Sequence, residues 1–204
     1  MVRPIDLAFQ KLEYILKEMS IEALKSMDLL TYFKRQQTVK DLKEISDRLR
    51  KLKEEAGTLI LEIIVRYQPA ATDLRFVKSS LEITYDLYRI SRYSYDIALA
   101  LEDANLSLEE CLDEDIQSNI ERVKNMLNLT IKAIVKRSVE LATEIKEMDQ
   151  SIDEAYKEYF HKALEFKGGK CAVANLLIMR YLERIADHCS YIADEILFII
   201  KGAK

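Results

Sequence analysis

The fold is decided by residues 66–98, which read RYQPAATDLRFVKSSLEITYDLYRISRYSYDIA, and by a second stretch that resembles them. The second stretch, residues 168–193, reads GGKCAVANLLIMRYLERIADHCSYIA. When Arg89 is aligned with Arg184, seven positions are identical. Four of these lie at residues 83, 87, 90 and 97 of the first copy, a spacing of 4, 3 and 7 that is typical of one stripe along an α-helix. The repeat therefore predicts a duplicated helical unit in which both copies use the same packing face.

The two copies differ on the face that is not shared. Glu183 and Asp187 stand where the first copy has Tyr88 and Arg92. At these two positions the second copy thus carries acidic side chains, whereas the first copy does not. This difference predicts a site in the second half that has no counterpart in the first.

Composition indicates an all-helical chain. Hydrophobic residues make up 49% of the 204 residues, which is ample for a core, and the 32% of charged residues argues against a disordered chain. Only four Gly and two Pro are present, so there is little turn chemistry for a β-protein. Basic and acidic residues nearly balance, 31 against 35, and form no basic stripe, which argues against a nucleic-acid partner.

The chain has no sequence feature of export or membrane insertion. Its first residues lack a basic segment followed by an apolar one, and the longest apolar run, residues 171–179, is far shorter than the roughly 20 residues that span a bilayer. Cys171 and Cys189 lie on one predicted helix, about 27 Å apart, and cannot bridge to each other. We therefore expect free thiols in a cytoplasmic protein.

Amphipathic patterning predicts six long helices in two domains, residues 1–104 and 105–204. Pro69 breaks the pattern in the first half, and Gly168-Gly169 breaks it at the matching place in the second. Short loops between such long helices require antiparallel packing, which favours two tandem three-helix bundles. The predicted helices cover about 6–33, 37–67, 70–103, 108–135, 138–166 and 170–201.

Two pairs of acidic residues have the spacing of neighbours on one helix face. Glu183 and Asp187 are four residues apart on the sixth predicted helix, and Asp149 and Asp153 have the same spacing on the fifth. If these helices pack together, four carboxylates converge and repel one another, and a multivalent cation relieves the repulsion. Oxygen ligands favour hard ions, and the neighbouring His188 would admit a borderline ion such as Zn²⁺. A solvated acidic face is the alternative.

Four strings resemble the signature sequences of the PhoU family of phosphate-uptake regulators. They are QPAATDLR (68–75), DLYRISRYSYDIA (86–98), MDQSIDEAY (148–156) and YLERIADHCSYIADEI (181–196). The resemblance covers essentially the whole chain, including its two-copy layout, and implies two tandem three-helix bundles.

The resemblance also implies a function and a metal site. PhoU proteins restrain the phosphate ABC transporter and link it to a sensor kinase, so the expected partners are the ATPase subunit of that transporter and a kinase. Some bind iron or other metals through paired acidic motifs, which correspond here to Asp149, Asp153, Glu183 and Asp187. The ion is left open among iron, manganese, magnesium and zinc. Homodimers, which such proteins often form, are expected as well.

The first half departs from the family pattern, since Tyr88 and Arg92 replace the acids and residues 37–67 contain no acidic pair four residues apart. We therefore expect one metal site, not two, with Arg92 supplying positive charge in the first half. No phosphate-binding loop, nucleophile–base pair or zinc spacing is present, so catalysis is not expected. Two other functions remain open: an accessory subunit of a different ion transporter, and a metal store or metal-dependent enzyme.

Overall fold

A computed structural model describes residues 3–31, 33, 35–106, 114–165 and 169–202 of the chain. It contains six long helices and, within these ranges, no strand. The helices are α1 (Pro4–Thr31), α2 (Arg35–Tyr67), α3 (Ala71–Asp103), α4 (Glu114–Lys136), α5 (Val139–Glu165) and α6 (Lys170–Lys201). The predicted start of the fourth helix and Gly168 lie outside the described residues.

The helices form two tandem three-helix bundles, which confirms the predicted fold class. Helices α1, α2 and α3 pack on one another, as do α4, α5 and α6. The repeated stripe is the core of both bundles: Ile83, Leu87, Ile90 and Ile97 in α3 are at most 2% exposed, and their four counterparts in α6 are fully buried. The exact domain boundary at residue 104 and the superposition of the two halves stay predictions.

The helix ends follow the local sequence. Pro69 separates α2 from α3, and Gln68 and Ala71 on either side of it adopt positive φ angles of 46° and 48°. At the end of α6, Gly202 has a φ of 77°, and its N–H donates to the Phe198 carbonyl at 3.0 Å. Glycine tolerates this left-handed geometry, which closes the last turn of the helix.

The two bundles meet along α3 and α6, which run antiparallel. The side chain of Arg75 reaches the Ile199 carbonyl, Ser79 donates to Glu195, and Tyr93 lies against Tyr181, so residue numbers rise along α3 as they fall along α6. Helices α1 and α4 also face each other across this junction. The third helix of each bundle thus lies at the centre of the molecule.

The cysteine prediction was half right. Cys189 is a free, buried thiol, as expected. Cys171 is disulfide-bonded, so the expectation that it is free is wrong. The spacing argument excluded only a bridge within one helix and did not address other partners; Cys111 lies outside the described residues. Every described helix is too polar along its length to serve as a membrane-spanning segment.

Candidate metal centre

Three of the four predicted ligand residues come together where α5 packs on α6. Asp153 on α5 and Glu183 and Asp187 on α6 each place a carboxylate oxygen within 4.8 Å of the other two. The i,i+4 spacing puts Glu183 and Asp187 on one face of α6, and helix packing brings Asp153 opposite them. Within the described part of the chain, no other set of three acidic, His or Cys side chains meets this criterion.

Asp149 lies one turn before Asp153 and is more deeply enclosed than that spacing suggested. Its Oδ1 atom is buried and has no hydrogen-bond partner among the described residues. Burial raises the pKa of Asp149 to about 6, a hydrogen bond from Ser190 opposes the rise, and repulsion from Asp187 and Asp153 adds to it. Asp149 therefore extends the acidic cluster inward without joining the group of three.

Two arginines border the cluster. Arg180 Nη1 donates to Glu183 Oε1 at 2.7 Å, and Arg184 Nη1 donates to Asp187 Oδ2 at 2.9 Å. Burial nevertheless raises the pKa of Glu183 and of Asp187, because it outweighs the attraction of the guanidinium groups. Sequence reasoning missed Arg180, although its position three residues before Glu183 is the spacing of a helical ion pair.

Comparison with known proteins places this chain in a family. A family model described as the PhoU domain matches residues 15–101 and again residues 116–196. The chain belongs to the PhoU family. The two matches fall one on each bundle, as the internal repeat predicts.

Curated relatives of this PhoU-family chain come from archaea and bacteria. A protein of Methanothermobacter thermautotrophicus, named phosphate-specific transport system accessory protein PhoU homolog 1, is 30% identical, with 93% of this chain and 90% of the relative covered. A Thermotoga maritima protein of the same name is 27% identical, with 94% and 84% covered.

Solved structures share the fold. The crystal structure of PhoU from Pseudomonas aeruginosa matches 98% of this chain and 96% of its own, with a TM-score of 0.77 and 20% identity. The PhoU structure from Streptococcus pneumoniae, described as a phosphate transport system regulatory protein, matches 97% of both chains, with a TM-score of 0.72 and 21% identity.

The donor set of the acidic cluster fits a hard metal ion. All of its ligand atoms are carboxylate oxygens, which suit Mg²⁺, Mn²⁺ and iron. Besides Asp149 Oδ1, the Oε2 atom of Glu183 is buried without a hydrogen bond from the described residues. Buried polar atoms without partners are rare, and an ion held by Asp153, Glu183 and Asp187 would satisfy the Oε2 atom of Glu183. Arg180 and Arg184 pair with Glu183 and Asp187, two of the four predicted ligand residues. Two negative charges therefore remain for a cation to neutralise.

His188 was considered as a further ligand, and its position does not support that role. Its Nδ1 lies 2.8 Å from Asp86 Oδ1 on α3, and its ring stacks on Tyr93 at a centroid distance of 5.7 Å. The pair is buried between the bundles, and burial raises the pKa of Asp86 while the imidazole opposes the rise. His188 therefore joins the bundles, and the cluster keeps oxygen donors only.

The corresponding region of the first bundle has aromatic and basic side chains. Lys53 Nζ on α2 lies 5.0 Å from the centre of the Tyr88 ring, a cation–π contact that the sequence did not reveal. Arg92, which we expected to supply the positive charge here, pairs with Asp96 Oδ1 at 2.8 Å. Lys53 thus places a positive charge beside the residue that replaces Glu183.

Proposed function

We propose that this protein is a negative regulator of phosphate uptake, acting in the cytoplasm as a non-enzymatic adaptor on a phosphate ABC transporter. Membership of the PhoU family supports this function, as do the names of relatives from distant organisms, which describe accessory proteins of phosphate-specific transport. Such an adaptor works by binding one conformation of its partner more tightly than another. Its partners are the transporter's ATPase subunit and a sensor kinase.

The adaptor binds a metal ion on its second bundle. Asp153, Glu183 and Asp187 would hold the ion directly, and Asp149 would contribute the charge of an otherwise unpartnered carboxylate oxygen. The ion would be iron, manganese or magnesium, with zinc less suited to an all-oxygen site. A bound cation neutralises the excess negative charge and links α5 to α6.

A pull-down tests the regulatory role. Immobilised full-length protein is mixed with the ATPase subunit of the phosphate transporter and, separately, with the ATPase subunit of an unrelated ion transporter. We expect selective retention of the phosphate-transporter subunit. Retention of the unrelated subunit alone would favour the accessory protein of another ion transporter and contradict the proposal.

Elemental analysis tests the metal role independently. The protein, purified without chelator, should carry a hard metal ion at a small, fixed number of ions per chain. The metal-loaded protein should show no hydrolytic or redox turnover. Storage of many ions per chain, or hydrolytic or redox turnover by the metal-loaded protein, would support the metal store or the metal-dependent enzyme instead.

A further inference from the structure

An apolar concavity lies between the two bundles, and none of its lining residues belongs to the carboxylate cluster. It is a groove of about 340 Å³. Its floor is formed by Phe76 and Ile83 of α3 with Ile196 and Ile199 of α6, all at most 6% exposed. Its walls are α1 and α4. Apolar pockets of this volume with a few polar groups at the edge are typical ligand sites.

Between α1 and α4 the groove has a small side chain at its wall and an ion pair at its end. Ser20 of α1 faces the groove, and its hydroxyl donates to the Leu16 carbonyl at 2.7 Å, so it does not extend across. At the end of α4, Arg137 Nη2 lies 2.8 Å from Glu13 Oε1, and its guanidinium covers the Phe76 ring. The space between is therefore left open by the packing.

The rim carries exposed apolar side chains and one unbalanced charge. Ile21 on α1 is 55% exposed and Val135 on α4 is 70% exposed. Glu13 and Arg137 neutralise each other, whereas Lys17 forms no ion pair with any described residue. An apolar groove with a net positive rim is complementary to a molecule with an apolar chain and an anionic head.

We propose that this groove binds a small anionic amphiphile, with its apolar chain between α1 and α4 and its head group at Lys17. Such a ligand contacts both bundles at once, since α1 belongs to the first and α4 to the second. This site is separate from the metal cluster and does not depend on the regulatory function. A protein partner, such as a second copy of the chain or an apolar segment of another protein, would contact the exposed rim of the groove and would not reach its buried floor.

Fluorescence titration with anilinonaphthalenesulfonate, an apolar anion, tests the site on the full-length protein. We expect one saturable site per chain, displaced by decanoate but not by decyltrimethylammonium. Val135→Glu should weaken binding at least tenfold, because it places a negative charge at the rim. Val173→Glu is the matched control: Val173 is 69% exposed on α6 and does not line the groove, so binding should not change.

Two further variants separate shape from charge. Ser20→Leu should fill the groove and abolish binding without changing any charge. Lys17→Gln should weaken the binding of decanoate and leave the binding of decanol unchanged. Equal affinity in the Val135→Glu and Val173→Glu variants, or the absence of saturable binding, overturns the proposal. Sedimentation of the same variants identifies a rival occupant: a dimer that Val135→Glu alone dissociates shows that a second copy covers the groove.

Discussion

Asp149 and Asp153 are one turn apart on α5, yet their surroundings differ in ways that predict different behaviour. Asp149 has a buried oxygen without a partner and receives a hydrogen bond from Ser190. Asp153 faces Glu183 and Asp187, and neither Arg180 nor Arg184 forms an ion pair with it. Burial is the largest influence on the pKa of Asp149, whereas Asp153 is distinguished by its closeness to two other carboxylates.

Removing two ligands should remove the metal. We expect Glu183→Gln combined with Asp187→Asn to abolish most metal uptake, because amide oxygens carry no charge to hold the ion. Tyr88→Phe, at the position aligned with Glu183, should leave uptake unchanged. Elemental analysis of both variants measures the result; undiminished metal in the double variant, or equal occupancy of both bundles in the wild type, would show the assignment to be wrong.

Asp153→Asn should stabilise the metal-free protein by about 1 kcal/mol, because it relieves repulsion without breaking a described ion pair. The same change should weaken metal binding. Urea denaturation with and without chelator measures both effects, and Glu154→Gln, an exposed neighbour, is the control. A less stable metal-free variant would mean that repulsion in the cluster is already compensated.

Asp149 should make the stability of the metal-free protein depend on pH. Its pKa is about 6 in the folded protein against an ordinary value of 3.8, so between these values the folded state binds more protons than the unfolded state. Stability is therefore lost as the pH rises from about 4 to about 6. Asp149→Asn should match the wild type at pH 4 and be more stable at pH 7. Urea midpoints in chelator across this range test it; a pH-independent difference would contradict it.

At the scale of the helices, α3 and α6 each pack within their own bundle and also contact each other. Each buries its repeated stripe within its bundle and uses another face to contact the other helix. Across that contact, Lys78 and Ser79 hold Glu195 at 2.8 and 2.7 Å, and Asp86 holds His188. These polar contacts, in which every group except Lys78 is buried, fix how far one helix slides along the other.

Asp86→Ala should destabilise the protein by about 1–3 kcal/mol, because it leaves the His188 Nδ1 atom buried without a partner. Glu82→Ala, one turn earlier, removes only an exposed contact with Lys78 at 3.8 Å and should cost less than about 0.5 kcal/mol. Urea denaturation compares the two. Equal losses would show that the Asp86–His188 contact adds nothing to stability.

At the scale of the whole molecule, the repeat is visible in the contact between the bundles. In the alignment of Arg89 with Arg184, Asp86 corresponds to Tyr181 and Tyr93 corresponds to His188. The Asp86–His188 contact and the Tyr93–Tyr181 contact thus join the same two aligned positions, with the two helices exchanging roles. The side chains at these two positions differ between the copies, whereas the contact between the positions is present in both.

The protein should form a symmetric dimer in solution. Exposed apolar side chains lie near the end of α2, where Leu61 is 65% and Val65 is 75% exposed, and burying them would favour association. Sedimentation velocity at micromolar concentrations measures the state. A monomer throughout that range would remove this expectation.

The sequence by itself determined the helices, the core stripe and the faces that carry the acids. These features depend on the 3.6-residue period, which is local: it places Glu183 beside Asp187, and it places Leu87 and Leu182 on the apolar stripes that the fold buries. Turn residues such as Pro69 and Gly202 were equally readable because they act on their own backbone.

Only the tertiary structure decided which side chains meet across helices. The pairing of His188 with Asp86, the position of Lys53 over Tyr88, and the different environments of Asp149 and Asp153 depend on how each helix is rotated and shifted against the next. That rotation and shift result from the packing of all six helices together, and no local spacing encodes them. The groove between α1 and α4 has the same origin, since it is a gap that packing leaves open.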